Sequence, residues 1–389
     1  MRDETRIQRL VQVGPGTPGG ELLRRYWQPL CVAAELTEEN PKKKVKILGE
    51  DLVVFRDGKG EYGCVAEACA HRGVSLYYGF VEEDGIRCAY HGWKFGLQGQ
   101  CLEQPFEPKS FAHNVRVAGY PVQKLAGILF VYMGPAPAPL LPRWDVLVRT
   151  DGKRKIELHP TLNCNWLQAQ ENTADSVHTY YLHGHMMKKL GLRGGEFYYR
   201  PVERYDWEYC EWGINKVVVY GGDHPEEEVR PPLVFPNILR VPQGPVECLH
   251  WRVPIDDTHT RIIWIGFTPS ADGSGMSEDE DPPFEELPST MKPNGEYELG
   301  GFYEQDKMAW ETQGAIFDRT KENLGATDRG IVMLRKLLEE QMQRVEQGQD
   351  PIALVRDPEK NRIIEFTSTS PTIVIDGEKR VWSPEKQPV

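Results

Sequence analysis

Between residues 44 and 65 the chain alternates apolar and polar side chains, KVKILGEDLVVFRDGKGEYGCV, with a break at Asp57 and Gly58. A period of two buries one face of a strand, and an Asp-Gly pair between two such runs favours a hairpin. The β pattern continues to about residue 135. Glycines at 73, 79, 85, 92, 96 and 99 punctuate it, which suits tight loops joining short strands and not a helix. MGPAPAPLLPRW at 133–144 carries four prolines, which continue neither a strand nor a helix, and a domain boundary is placed there. Beyond it the pattern is mixed. ELHPTLNCNWLQAQENTADSVHTYYLHG passes from a strand-like opening into a helical run, and CLHWRVPIDDTHTRIIWIGFTP reads as two strands around Asp256 and Asp257. The acidic stretch 270–296 reads as a long mobile surface loop near an active-site mouth. Helices are expected at 303–313 and 328–347. In the second, Ile331, Leu334, Leu337, Leu338, Met342 and Val345 form an apolar stripe that reads as core packing.

At 389 residues the chain exceeds what one core usually organises, so two or three domains are expected. A net charge of −12 without a basic, aromatic-interleaved stripe argues against nucleic acid or an anionic membrane as partner. The first twenty residues lack the apolar core of a signal peptide, and the longest apolar run, LAGILFVYM, is too short to span a bilayer. A cytoplasmic protein is expected. Eight cysteines in this length are too few for a disulfide framework and read as thiols or metal ligands, with Cys64, Cys101 and Cys164 as buried thiols.

Two clusters carry the chemistry of the first half. Cys69 and His71 are separated from Cys88 and His91 by sixteen residues, giving C-x-H-x16-C-x-x-H on two glycine-rich loops. A zinc site, a [2Fe-2S] cluster of mixed ligation and unconnected residues are the competing readings. Zinc sites usually draw like ligands from one segment. Here each loop supplies one thiolate and one imidazole, as a cluster needs when one iron takes two Cys and the other two His. The stretch, with His71-Arg72-Gly73 and His91-Gly92-Trp93, resembles the Rieske motif of ring-hydroxylating oxygenases. No further cysteine pair stands in the loops to form the disulfide of respiratory-chain Rieske proteins, which favours the oxygenase branch.

The segment ENTADSVHTYYLHGH places Asn172, Asp175, His178, His183 and His185 close together. On an ideal helix Asp175 and His178 share a face, whereas His178 and His183 diverge by about 140°. A helix carrying both toward one ion must end or bulge before His183, and Gly184 suggests an ending. The pattern N-x-x-D-x-x-H-x4-H resembles the mononuclear iron motif of Rieske oxygenases. That resemblance implies His178 and His183 as ligands of a non-heme Fe(II), Asn172 close to the iron, and Asp175 joining the two redox centres across neighbouring subunits. Two histidines leave a facial triad one carboxylate short. Asp175 is one possibility, but the family takes the carboxylate from a late helix, and Asp306 in EQDKMAWETQG is chosen over Glu304, Glu311, Asp318 and Asp328. His113, His159, His185, His224, His250 and His259 show no ligand spacing and read as structural or exposed.

VGPGTPGGELLRRYWQP, the Rieske loops, NCNWLQAQENTADSVHTYYLH and the late helix together resemble the phthalate 4,5-dioxygenase and lignin O-demethylase branch of these oxygenases. The resemblance implies an α+β fold in which a Rieske β domain is inserted in a catalytic domain with a curved antiparallel sheet flanked by helices. The implied division is an N-terminal helical segment at 1–26, a Rieske domain at 27–135 and a catalytic domain at 136–389. It further implies a homotrimer, a reductase or ferredoxin partner drawing on NAD(P)H, and reaction of O2 with an aromatic small molecule. O-demethylation of a methoxylated aromatic acid is the expected outcome, and cis-dihydroxylation of a phthalate-type carboxylate the alternative. An electron-transfer or zinc-stabilised binding protein is the rival of another class. Recognition of an aromatic carboxylate needs a cation, for which Arg200, Arg204 and Arg240 are candidates.

Overall fold

The computed structural model describes residues 4–193, 195, 198–221, 226–243, 246–366, 372–375 and 378–381. The chain starts with α1 (Glu4–Val11) and α2 (Pro18–Leu23). Pro18 opens α2, and the Thr17 hydroxyl accepts from Gly20 N, a pairing that satisfies an otherwise orphaned donor. Ile7, Leu10 and Val11 are buried, and α1 lies against two helices of the distant second half.

The alternating run forms an antiparallel meander of β2 (Lys42–Ile47), β3 (Glu50–Arg56) and β4 (Tyr62–Ala66), following β1 (Gln28–Val32) in sequence. The expected turn after β3 is present. Asp57 Oδ1 accepts from the amides of Lys59 and Glu61 at 3.0 and 2.8 Å and so holds the turn closed. A tighter turn between β2 and β3 went unread in the sequence, because it uses Leu48 beside Gly49, both at positive φ. β5 (Phe80–Glu82), β6 (Gly85–Arg87), β7 (Lys94–Phe95) and β8 (Cys101–Glu103) form a four-stranded sheet beside the two cysteine–histidine loops, and β9 (Val122–Leu125) and β10 (Ile128–Val131) close back on β1. Phe55, Val65, Leu76, Ile86, Phe95 and Trp93 form a small core of their own under the loops. Val45, Ile47, Leu52 and Val54 instead join the main core with Trp251 and Leu338.

After the short α3 (Asp145–Val148), the second half is built on an eight-stranded sheet. It comprises β11 (Gly152–Leu158), β12 (Val202–Cys210), β13 (Gly213–Tyr220), β14 (Glu226–Val234), β15 (Ile238–Gln243), β16 (Val246–Asp256), β17 (His259–Pro269) and β18 (Phe284–Glu286), in the order 12-13-14-15-16-17-11-18. Pairing is antiparallel except that β18 runs parallel to β11, so the sheet is mixed at that edge. Helices α4 (Trp166–Ala174), α5 (Met186–Lys189), α6 (Phe302–Glu311) and α7 (Arg329–Glu346) flank it, and the stripe on α7 is buried in the main core as its spacing predicts. Leu249, Trp251 and Val253 point into that core, while Ile262 on the other face packs with Ala169 of α4 and Trp310 of α6. β19 (Thr372–Ile375) and β20 (Glu378–Val381) form a separate hairpin.

The 270–296 stretch is largely irregular and exposed, as expected of a long surface loop, apart from the short strand β18. Three of its carboxylates meet basic residues from elsewhere in the chain: Glu278 pairs with Arg143 at 2.7 Å, Asp281 with Lys124 at 2.8 Å and Glu285 with Lys155 at 2.5 Å. Its backbone supplies β18 as an edge strand. Acidic composition marked the segment as solvated without revealing the cations it lies upon. No helix among the described residues is long and apolar enough to cross a membrane.

Candidate metal centres

The two loops after β4 and β6 close by the same backbone bonds. Gly73 N donates to Cys69 O at 2.8 Å and Cys69 N to Val74 O at 2.9 Å. Gly92 N donates to Cys88 O at 3.0 Å and Cys88 N to Trp93 O at 2.9 Å. Both glycines sit at positive φ, 73° and 75°, which L-residues adopt only with strain. The repeat of one loop form brings the two cysteines and the two histidines together, with the His71 and His91 rings 4.5 Å apart. His71 stacks on Trp93, and its buried Nδ1 has no hydrogen-bond partner, an unused donor atom where a metal would bind. Burial pushes the Cys69 thiol up to about 11, and the adjacent Cys88 adds to the rise, so metal uptake must displace a proton there.

A single tetrahedral zinc would hold its four donors within about 4 Å of one another. No three of Cys69, His71, Cys88 and His91 bring their donor atoms within 4.8 Å of each other, a spread that suits two bridged irons. All eight cysteines are free of disulfides, and Cys64, Cys101 and Cys164 are buried as expected.

The one trio among the described residues that meets that 4.8 Å limit is His178, His183 and Asp306. α4 ends at Asp175, whose backbone turns extended, and Asp175 Oδ1 accepts from Val177 N at 2.7 Å to restart the chain. His178 then opens a π-helical turn, Thr179–His185. Its i to i+5 bonding suits a five-residue step, so the expected bulge exists and the two imidazoles face one point, ring centres 5.2 Å apart. Gly184 does not end the helix, which continues into α5. It is needed for space: a Cβ there would meet Tyr199 N at 2.9 Å. That neighbour lies later in the chain and leaves no trace in local spacing.

Hydrogen bonds fix both tautomers. Asp175 Oδ2 takes the Nδ1 side of His178 at 3.2 Å, and Gln305 Oε1 takes Nδ1 of His183 at 3.0 Å. The Gln305 amide is itself oriented by donating to Leu299 O at 3.0 Å. Each Nε2 lone pair is left for a metal. Asp306 Oδ1 lies 3.4 Å from His183 Nε2 and 3.8 Å from His178 Nε2, and Asn172 Nδ2 donates to the same oxygen at 3.2 Å. Burial would raise the Asp306 carboxyl, but the two imidazoles hold it below its ordinary range. Burial lowers His183, and Asp306 more than reverses that, leaving it above its usual value. Two imidazoles and one carboxylate on one side of a point form the donor set of a non-heme Fe(II) triad with open positions.

Gln305 is the functional residue that sequence reasoning missed; a glutamine beside an aspartate on a helix carries no signal of its own. Of the rival carboxylates, Glu311 accepts from Asn163 N and Tyr297 OH, Asp318 caps the turn at Thr320, and Asp328 accepts from Gly325 N. Asp175 lies behind His178 and outside the trio. His113 and His185 are exposed, His259 pairs with Asp256, and His224 lies outside the described residues. Arg240 is not a pocket cation: it is buried in ion pairs with Asp145 and Glu247. Arg204 pairs with Asp206 at the surface, and Arg200 stacks over the Tyr220 ring at 3.8 Å.

Comparison with known proteins agrees with this architecture. Residues 26–122 match the Rieske [2Fe-2S] domain, and residues 286–374 a domain described as LigXa C-terminal domain like. The chain is 38% identical over 387 residues to the 5,5'-dehydrodivanillate O-demethylase oxygenase subunit of Sphingobium sp., covering 95% of this chain and 87% of that protein. It is 30% identical to the phthalate 4,5-dioxygenase oxygenase subunit of Pseudomonas putida, covering 92% and 90%. Among solved structures, the oxygenase in the reduced oxygenase–ferredoxin complex of carbazole 1,9a-dioxygenase superposes with a TM-score of 0.59 at 21% identity, covering 90% and 98%. The chain belongs to the oxygenase subunits of the Rieske non-heme iron oxygenases. It is an oxidoreductase acting with O2 and has a Rieske [2Fe-2S] cluster and a mononuclear non-heme iron as cofactors.

Proposed function

We propose that this subunit O-demethylates a methoxylated aromatic acid of lignin-derived type. In this reading Cys69, His71, Cys88 and His91 hold the cluster, and His178, His183 and Asp306 hold the iron. The observation that carries it is the trio, whose two Nε2 atoms and one carboxylate oxygen converge while each Nδ1 is tied back to an oxygen. Bound there, iron supplies a redox-active centre with open positions for dioxygen. The chain's own residues keep that centre in shape: Asn172 holds the Asp306 oxygen, and Asp175 and Gln305 hold the two imidazoles. Asp175 is only partly buried, which supports a further role in passing electrons to His178 from the cluster of a neighbouring subunit.

The reading includes a cytoplasmic homotrimer, a reductase or ferredoxin partner that supplies electrons from NAD(P)H, and division of the chain at 1–26, 27–135 and 136–389. The Sphingobium relative supports O-demethylation, and the phthalate relative supports cis-dihydroxylation of a carboxylate as the second reading. Turnover of 5,5'-dehydrodivanillate, vanillate and phthalate with a reductase separates them. Formaldehyde released with O2 uptake is expected, and a diol without formaldehyde would overturn the demethylase reading. Asp175→Asn should retain both metals and lose turnover on the order of 100-fold; full activity removes Asp175 from the electron path.

A further inference from the structure

Six arginines are buried among the described residues, and five are matched. Arg24 pairs with Glu50, Arg240 with Asp145, and Arg319 and Arg335 with Glu171, while Arg154 donates to the carbonyls of Val146 and Ser277. Arg252, 2% exposed, is the exception. Among the described residues it makes no ion pair, the Asp306 charge acting on it only without contact; its Nη1 reaches the His250 carbonyl at 3.3 Å, and its Nε has no hydrogen-bond partner. A buried cation left unmatched is costly, and such a group persists where an anion arrives to meet it.

The position of Arg252 says where that anion comes from. Strand alternation sends Trp251 and Val253 into the main core and turns Arg252 and His250 to the opposite face. There Arg252 stands across from Ile262 and His250 across from Trp264. This face looks toward α6: the Arg252 guanidinium lies 5.9 Å from the Trp310 ring, and the His159 ring 4.0 Å from Tyr303, one turn before Asp306. Other unused polar atoms gather on the same floor, since His250 Nε2 and His159 Nδ1 are both buried without partners. Burial, with the Arg252 charge adding to it, lowers both imidazoles, His159 to about 4, so both stay neutral near pH 7 and Arg252 is the cation of the group.

We infer that Arg252, with the His250 imidazole beside it, is the subsite that receives the carboxylate of the aromatic substrate, on the sheet face that looks toward the helix bearing Asp306. This rests on the reading of the chain as an oxygenase of aromatic acids and names the group that selects the acid. Neither residue is among the arginines the sequence offered for this role.

The test is equilibrium binding to the holoenzyme, without turnover, of 4-methoxybenzoate, phthalate and the uncharged methyl 4-methoxybenzoate. Arg252→Met should weaken both acids by about 30-fold or more while the ester stays within about twofold. His250→Gln should weaken the acids by a smaller factor. Should Arg252→Met lose its visible cluster spectrum, Arg252→Lys becomes the variant measured; the charge is kept but the two-pronged donor is lost, so acids should weaken by about threefold or more with the ester unchanged. Acid binding that matches wild type in a spectroscopically intact variant overturns the subsite. So does a variant that changes only iron content, which would confine Arg252 to the electrostatics of Asp306. Wild-type enzyme that binds ester and acids alike removes the subsite and leaves the oxygenase reading standing, whereas wild type that binds none of the three probes refutes the aromatic-acid reading itself.

Discussion

In the loops at 69–93, four donors come from one short stretch of chain, and backbone bonds to two glycines set their positions. In the proposed iron trio, the donors come from segments more than a hundred residues apart, and side chains do the setting: His183 and its orienting Gln305 are 122 positions apart. The first site is a local device repeated twice. The second exists only when α6 has docked against the π-helical turn, and every one of its orienting bonds can be removed without touching the backbone. A shift in α6 should therefore empty the trio and leave the loops filled.

Asp306→Ala is the strongest test of that separation. Loss of the carboxylate should bring the iron-to-sulfide ratio down from about 3:2 toward 1:1 with an unchanged cluster spectrum, and turnover should fall by on the order of a thousandfold or more. A preparation with zinc and no sulfide would break the comparison at its base. Gln305→Leu keeps all three ligands but frees His183 to rotate or change tautomer, so iron affinity should fall roughly 10- to 100-fold in a metal titration, again with the cluster intact. The loops should respond to backbone changes instead. Gly92→Ala places a Cβ 3.2 Å from Pro105 Cγ in addition to the strain of positive φ, whereas at Gly73 a Cβ meets nothing within 4 Å. Gly73→Ala should cost about 1 kcal/mol and Gly92→Ala somewhat more, read as a lower melting temperature of the cluster signal with the iron trio unaffected.

What could be read in advance follows the same division. The Cys69 to His91 spacing is legible as a candidate cluster pattern because local loops keep such side chains near in sequence. His178 and His183 were legible as a pair, and the 140° conflict on an ideal helix correctly required a distortion, which the π-turn supplies. Gly184 was misread because its reason is the close passage of Tyr199. Asp306 came from resemblance to a late helix and not from any local pattern, and Gln305 could not be seen at all. Arg240 and Arg252 show the limit for strands. They lie on paired strands but opposite faces, and only the register of β15 and β16 says that Arg240 meets Asp145 while Arg252 turns toward α6.

The packing of α1 has a consequence for synthesis. Arg6 and Arg9 bond to Glu339 and Glu346 on α7, and the apolar side of α1 is buried with them. α1 therefore has no final resting place until α7 has been made, with Arg6 and Glu339 333 positions apart. An amphipathic segment is left waiting while the intervening chain is made, a stage at which exposed apolar surface invites self-association.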